Sequence, residues 1–440
     1  MTTTRIAVPE GADPTIFFDV TELVVMDLRT GIQRVVRELL EHGQAGAARG
    51  TIVPVIAAGS RFHSLSEAGW ARVRSPGAGV AEKRIAHQRG VPRHVRLIKR
   101  AANINPALYN MLQRVYFSTV LRRRSNGLYD PDPVLVKPGD KLVLADSFWG
   151  GAPTLKAVAR AVSGGARANL VAYDLIPLTH PQFCDARLVE KFLPLMRRAI
   201  ALSERVLAIS EDCARAFRAQ FPGANVIPIR LGHDIREDNV PAQAGAGRSE
   251  AMWPEALWTG DSRVFVIVGS IEPRKGHAVV LEAFERRWAR GEPDKLLILG
   301  KVGWQVDDLI VRIEQHAEAG RRLFAVHNAT DAMLRNALQR AHAGIIASYI
   351  EGFGLPLAEG LSAGLPMVAS DIPVFHEIAG DKAVYFAPGN AAALDEAVDL
   401  LHRRYAEMTR AAGEFTWPDW RTAAAEFFAT VEGHVASTSD

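Results

Sequence analysis

GIIASYIEGFGLPLAEGLSAGLPMVASDIPVFHE, spanning Gly344 to Glu377, is punctuated as a strand, a turn and a helix. The apolar run Gly344-Ile345-Ile346-Ala347 has the length expected of a strand buried on both faces. Glu351-Gly352-Phe353-Gly354-Leu355 follows as a turn in which glycines let backbone N–H groups converge without interference from Cβ atoms. Pro356 then stands where a helix begins, a position at which its missing N–H costs nothing. A strand, a glycine turn and a helix N-terminus together form an anion-binding device, because orphan N–H groups and the helix dipole both attract a phosphate. Glu351 precedes the turn and Glu359 lies about one turn inside the helix, a Glu-x7-Glu spacing. Carboxylates beside a phosphate site make sense if they accept hydrogen bonds from the hydroxyl-bearing parts of the same ligand.

The same rhythm recurs along the chain. Apolar runs at Ile16–Val20, Ile52–Ala57, Leu142–Ala145, Leu170–Tyr173, Val206–Ile209 and Val226–Ile229 alternate with helical patterns. One of those helices follows Thr30-Gly31-Ile32-Gln33-Arg34 and has Val35, Val36, Leu39 and Leu40 on one face. A second series begins at Val264–Val268 and continues through Leu296–Leu299, Ile345–Ala347 and Met367–Ala369. Its helix at His277–Trp288 repeats Val280, Phe284 and Trp288. Strands alternating with helices predict doubly wound parallel sheets, hence an α/β protein of two facing Rossmann-like domains with a ligand cleft between them. The expected division is 1–245, 246–415 and a closing helix in 416–440, with the connection in the Gly245–Trp258 region.

Composition narrows the classes. The chain has 440 residues, enough for two or three domains, and a net charge of +3 that gives no reason to expect nucleic acid as a partner. Cys184 and Cys213 lack metal-ligand spacing and predict reduced thiols. No apolar h-region opens the sequence and no run is long enough to span a bilayer, which predicts a cytoplasmic protein. The segment 82–124 carries eleven basic residues against the single acid Glu82, with Leu97, Ile98, Leu108 and Phe117 interleaved. Such a stretch suits the anionic inner face of a membrane, and equally a solvated basic surface.

EGFGLPLAE, with AGLPMVASDIPVFHEIAG after it, resembles the C-terminal half of retaining family-four glycosyltransferases of GT-B fold. The resemblance implies a donor-binding second domain, an acceptor-side first domain and a last helix that crosses back to the first domain. It implies catalytic roles for Glu351 near the reacting sugar, for Arg274 and Lys275 in GSIEPRKG as clamps on the donor diphosphate, and for Asp174 on the acceptor side. Cations aimed at a leaving diphosphate stabilise the charge it gains. Donor binding falls, in the same way, to Gly31, Ser270, Val326, Phe353, Gly354, Leu355 and to Glu359 as the ribose ligand. Where relatives carry two adjacent glycines, Thr30 takes the first place, and Tyr173 stands where many have histidine, with His180 downstream.

TGIQRVVREL and YDLIPLTHP are most similar to bacterial mannosyl- and rhamnosyl-transferases of surface polysaccharide synthesis, including O-antigen and lipopolysaccharide. The implied partners are a nucleotide diphosphate sugar, GDP-mannose or a GDP-deoxyhexose, and a growing glycan or lipid-linked acceptor. No cofactor is expected: Asp130-Pro131-Asp132 has the letters of a metal motif but reads as a loop with no strand before it, and transfer is expected to be metal-independent. Two other classes share the fold. A nonenzymatic nucleotide-sugar-binding or scaffold subunit is one; a nicotinamide-dependent dehydrogenase is the other, and it lacks its glycine fingerprint here.

Overall fold

The computed structural model describes residues 14–26, 30–48, 50–74, 127–150, 153–233, 253–260 and 263–434. The basic segment 82–124 lies outside the described residues, as does most of the expected connection between the domains.

Two sheets form the frame. The first contains β1 (Ile16–Asp19), β2 (Ile52–Ala58), β3 (Arg61–Leu65), β4 (Tyr129–Pro133), β5 (Lys141–Leu144), β6 (Arg167–Ala172), β7 (Ser203–Ala208) and β8 (Val226–Pro228). Their order is β4-β3-β2-β1-β5-β6-β7-β8. Only the β2–β3 and β3–β4 pairs are antiparallel; β1 sets the parallel register, with Ile16 opposite both Ile52 and Lys141. The second sheet contains β9 (Val264–Val268), β10 (Lys295–Leu299), β11 (Leu323–Val326), β12 (Ala343–Ile346), β13 (Met367–Ser370) and β14 (Ala383–Phe386). It runs β11-β10-β9-β12-β13-β14 and is parallel throughout.

These strands form where continuous apolar runs can be buried on both faces, and the helices cover them with single apolar stripes. Val35, Val36, Leu39 and Leu40 of the helix Gly31–His42 are all buried, as are Val280, Phe284 and Trp288 of the helix His277–Ala289. Within that second helix Arg287 is fully buried, bonded to Asp294 at 2.7 Å and to Asp395 at 2.9 Å. It thereby clips the helix to Ala391–Arg403. Removing one partner from such a buried pair costs about 3–5 kcal/mol, because the other charge is left stranded.

Four strands differ from the expected set. β3 and β4 form an antiparallel edge, and Asp130-Pro131-Asp132 is the middle of β4 rather than a loop. Prolines are tolerated at an edge because the missing N–H faces outward. Asp130 there accepts a 2.8 Å hydrogen bond from Ser64. β11 and β14 are four-residue strands, and Val326 is the last residue of β11.

The chain ends by returning to the first sheet. In the helix Trp420–Glu432, Trp420, Phe427 and Phe428 are fully buried, and Phe428 meets Phe18 of β1 with ring centroids 6.1 Å apart. Arg205 donates to Thr430 O at 2.9 Å, and Glu432 accepts from Gly50 N at 3.0 Å. Among the described residues no helix is long and apolar enough to cross a membrane.

Candidate active site

The carboxyl ends of the two sheets face each other, and the loops that leave them meet in the cleft. Gly352, in the turn after β12, approaches the loop after β6 so closely that a Cβ there would lie 1.8 Å from Tyr173 O. Only a glycine fits. The same residue's carbonyl accepts from Ser210 Oγ of the first domain at 2.7 Å. Beside it Glu377 receives the backbone N–H groups of Glu211 (2.7 Å) and Asp212 (2.8 Å), so a carboxylate from one domain closes a helix N-terminus of the other.

At the foot of β12 the Glu351 carboxylate lies between two cations. Arg274 Nη1 donates to Glu351 Oε2 at 2.8 Å, Lys275 Nζ to Oε1, and Ser348 Oγ to Oε1 at 2.7 Å. Glu272 pairs with Arg274 Nε from the other side at 3.2 Å. Burial works against the Glu351 charge, but Arg274 and Lys275 outweigh it and hold the carboxyl down to about 2. Burial lowers the Lys275 ammonium, opposed by Glu351. The turn that presents both cations depends on Gly276, which has φ 69° and sits where a Cβ would be 2.1 Å from Ala347 O. Tyr349 N donates to Arg274 O at 2.8 Å, stitching that turn to the loop after β12.

Glycines and helix starts surround this group. Gly354 is the N-cap of the helix Leu355–Ser362, and Phe353 is buried against Trp417 with centroids 5.7 Å apart. Ser270 follows β9 and is half-buried; Val326, also half-buried, ends β11 beside His327, whose Nδ1 is 3.3 Å from Gly300 O. Glu359 is buried within its helix and ion-paired with Arg34 at 2.5 Å. Gly31, at the start of the opposing helix, is exposed. Asp174 caps the turn after β6 by accepting from Ile176 N at 2.9 Å; burial raises its pKa, partly offset by that bond and by Arg274. Tyr173 turns inward and donates to Ala145 O at 2.7 Å, so its hydroxyl ties two strand ends together. His180 stacks on Phe183, which leans against Tyr349 of the second domain.

Residues 250–415 match the family model for glycosyl transferases group 1. Over 306 residues the chain is 31% identical to the serotype-specific mannosyltransferase WbdA of Escherichia coli, covering 67% of this chain and 37% of that one. Identity to the Escherichia coli O-antigen chain mannosyltransferase B is 23% over 268 residues, 58% of this chain and 68% of that protein. The structure of Anabaena HepE in complex with UDP and glucose matches with a TM-score of 0.56 at 14% identity, covering 97% of this chain and 99% of that one. The chain has the GT-B fold, and its residues 250–415 carry the match to glycosyl transferases group 1. It spans a little over a third of the length of WbdA.

The group 1 region contains Ser270, Arg274, Lys275, Val326, Glu351, Phe353, Gly354, Leu355 and Glu359, whereas Gly31 and Asp174 belong to a helix start and a loop of the first domain. Sequence reading passed over Glu272, Ser348, Ser210, Arg34 and Glu377. Arg34 carried a signal, three residues past Gly31 on the same helix; the others are ordinary in their local context.

Beneath the Gly31 loop the floor of the GT-B cleft is acidic. Asp146 accepts from Leu23 N (2.6 Å), Ser147 N (2.7 Å) and Gln33 Nε2 (3.0 Å), which anchors both helix starts. Asp19 accepts from Thr21, and burial together with the Asp146 charge pushes its carboxyl up to about 7. A carboxyl raised on folding favours the native state below its unfolded value near 3.8, and loses that contribution as pH rises towards 7. Asp19→Asn should therefore raise the melting temperature relative to wild type progressively between pH 4 and pH 8, by about 2–4 °C per kcal/mol recovered. Melting curves across that range check it; a pH-independent difference would show that Asp19 titrates normally.

Proposed function

We propose that the chain is a retaining hexosyltransferase that moves mannose or a deoxyhexose from a GDP-linked donor to a growing glycan in surface polysaccharide synthesis. The observation that carries this reading is the Glu351 carboxylate held between Arg274 and Lys275 beside a glycine-capped helix N-terminus. Likeness to mannosyltransferases, one of them named for an O-antigen chain, supports the sugar and the process.

In this reading the donor diphosphate lies against Arg274, Lys275 and the first N–H groups of the helix Leu355–Ser362. As the bond from the anomeric carbon to the diphosphate oxygen breaks, negative charge grows on the leaving group, and cations already fixed in place stabilise it without reorganising. Glu351, ionised at every working pH, accepts hydroxyls of the transferred sugar, and Glu359 accepts those of the ribose. Asp174, across the cleft, faces the acceptor. These residues need no metal to balance the diphosphate charge. The acceptor is lipid-linked, presented at an anionic membrane surface that the basic segment 82–124 attracts.

Three measurements test the reading. Glu351→Gln should lower kcat by about 10²-fold or more, in line with losing a preorganised group at a reacting centre. Glu359→Ala should chiefly raise the donor KM; equal mild changes in both constants for both variants would sink the division of roles, and donor binding without turnover would favour a binding subunit. Transfer should survive EDTA and keep the donor's anomeric configuration, read from the product's anomeric proton coupling; activity lost to EDTA and restored by Mn²⁺, or an inverted product, would overturn that part. Co-sedimentation with anionic liposomes at low salt should fall when Arg122, Arg123 and Arg124 all become Glu; unchanged sedimentation removes the membrane from the proposal.

A further inference from the structure

Arg34 and Glu359 belong to opposite domains and meet across the cleft. Arg34 lies in the first turn of the helix Gly31–His42, which starts at the loop facing the donor pocket. Its Nη1 reaches Glu359 Oε1 at 2.5 Å, while Glu359 is only 1% exposed. The other charges that act on Glu359, Asp331 and Glu38, are both negative, and burial itself favours the protonated carboxyl. Burial raises the Glu359 carboxyl above its ordinary value, opposed by Arg34, so the counter-charge that favours its ionised form comes from the other domain. An ionised carboxylate accepts two hydroxyl donors at once, whereas a protonated one must spend an oxygen as a donor itself.

We propose that Arg34 is the positioning residue for ribose recognition, pairing with Glu359 across the cleft and aiming it so that the carboxylate reads vicinal hydroxyls only when both domains have closed. The inference rests on the reading of Glu359 as the ribose ligand. It gives the N-terminal domain a part in donor recognition that does not involve touching the sugar or the phosphates. A merely structural pair would instead hold the domains together and leave discrimination at the ribose unaltered.

The discriminating experiment compares GDP with 2′,3′-dideoxy-GDP by titration calorimetry, with UDP and its dideoxy analogue run in parallel. Wild type should prefer the hydroxylated nucleotide by roughly tenfold or more, as expected when a charged hydrogen bond is lost. Arg34→Met and Glu359→Gln should each bring that ratio close to one, the double variant should lose nothing further, and Arg34→Lys should recover part of the preference. A wild-type ratio in Arg34→Met alongside a lost ratio in Glu359→Gln would overturn the inference and leave the ribose reading standing. An unchanged ratio in Glu359→Gln would instead remove the ribose reading and the inference with it. Matching circular dichroism melts of the single variants exclude misfolding as the cause.

Discussion

Placing one carboxylate within reach of two cations is the constraint around which the donor pocket is arranged. Arg274 and Lys275 adjoin in sequence and sit in a half-buried turn, where their mutual repulsion is poorly screened. Two unit charges 4 Å apart interact by about 4 kcal/mol at an effective dielectric near 20. Glu351 answers both, Glu272 adds a second acid to Arg274, and the Tyr349–Arg274 backbone bond fixes the spacing of the two loops. Desolvation cancels part of what the pairs return, so their contribution is more to order than to stability. The cations are thus held at fixed positions by these acids before any ligand arrives.

Polar contacts across the cleft join named loops of the two domains. Gly352 O is satisfied by Ser210, a helix N-terminus by Glu377, and Glu359 by Arg34. Backbone approach at Gly352 sets how near the domains can come, while the charged pairs determine which loops face each other. Apolar packing accompanies these contacts, since Val171 and Leu231 of the first domain, Phe353 and Leu357 of the second and Trp420 of the closing helix belong to one hydrophobic cluster. Phe183 with Tyr349, and Trp304 donating to Phe183 O at 3.2 Å, add an aromatic contact at one edge.

Much of the frame could be read in the sequence because buried parallel strands are unbroken apolar runs, and Ile16–Asp19, Val264–Val268 and Ala343–Ile346 have that form. The edge strands could not: β3 is Arg-Phe-His-Ser-Leu, with no continuous apolar run, and β4 is Tyr-Asp-Pro-Asp-Pro, whose composition argues for a turn. The glycine turn and the helix start at Leu355 were legible because backbone chemistry dictates which residues can stand there. Spacing exposed the pairing of Glu351 with Glu359 as two acids on one loop and helix. It could not expose that Glu351 spends its charge on Arg274 and Lys275, or that Glu359 is answered from Arg34. Those partners are set by how two sheets face each other, and no local pattern encodes that. Glu377 shows the same limit: an unremarkable helical glutamate in its own segment, it becomes the cap of a helix more than 150 residues away in the chain.

The helix Trp420–Glu432 gives the N-terminal domain a late completion. Its aromatic side chains fill the space beside Phe18 and Gly43, which are synthesised well before it. Chains emerge from the ribosome in order, and domains tend to fold as they emerge. Here the first sheet must wait, with an apolar flank uncovered, until the whole second sheet has been synthesised and the chain has come back. The later domain can therefore reach its native packing first, and the earlier one is finished only once this helix has left the ribosome.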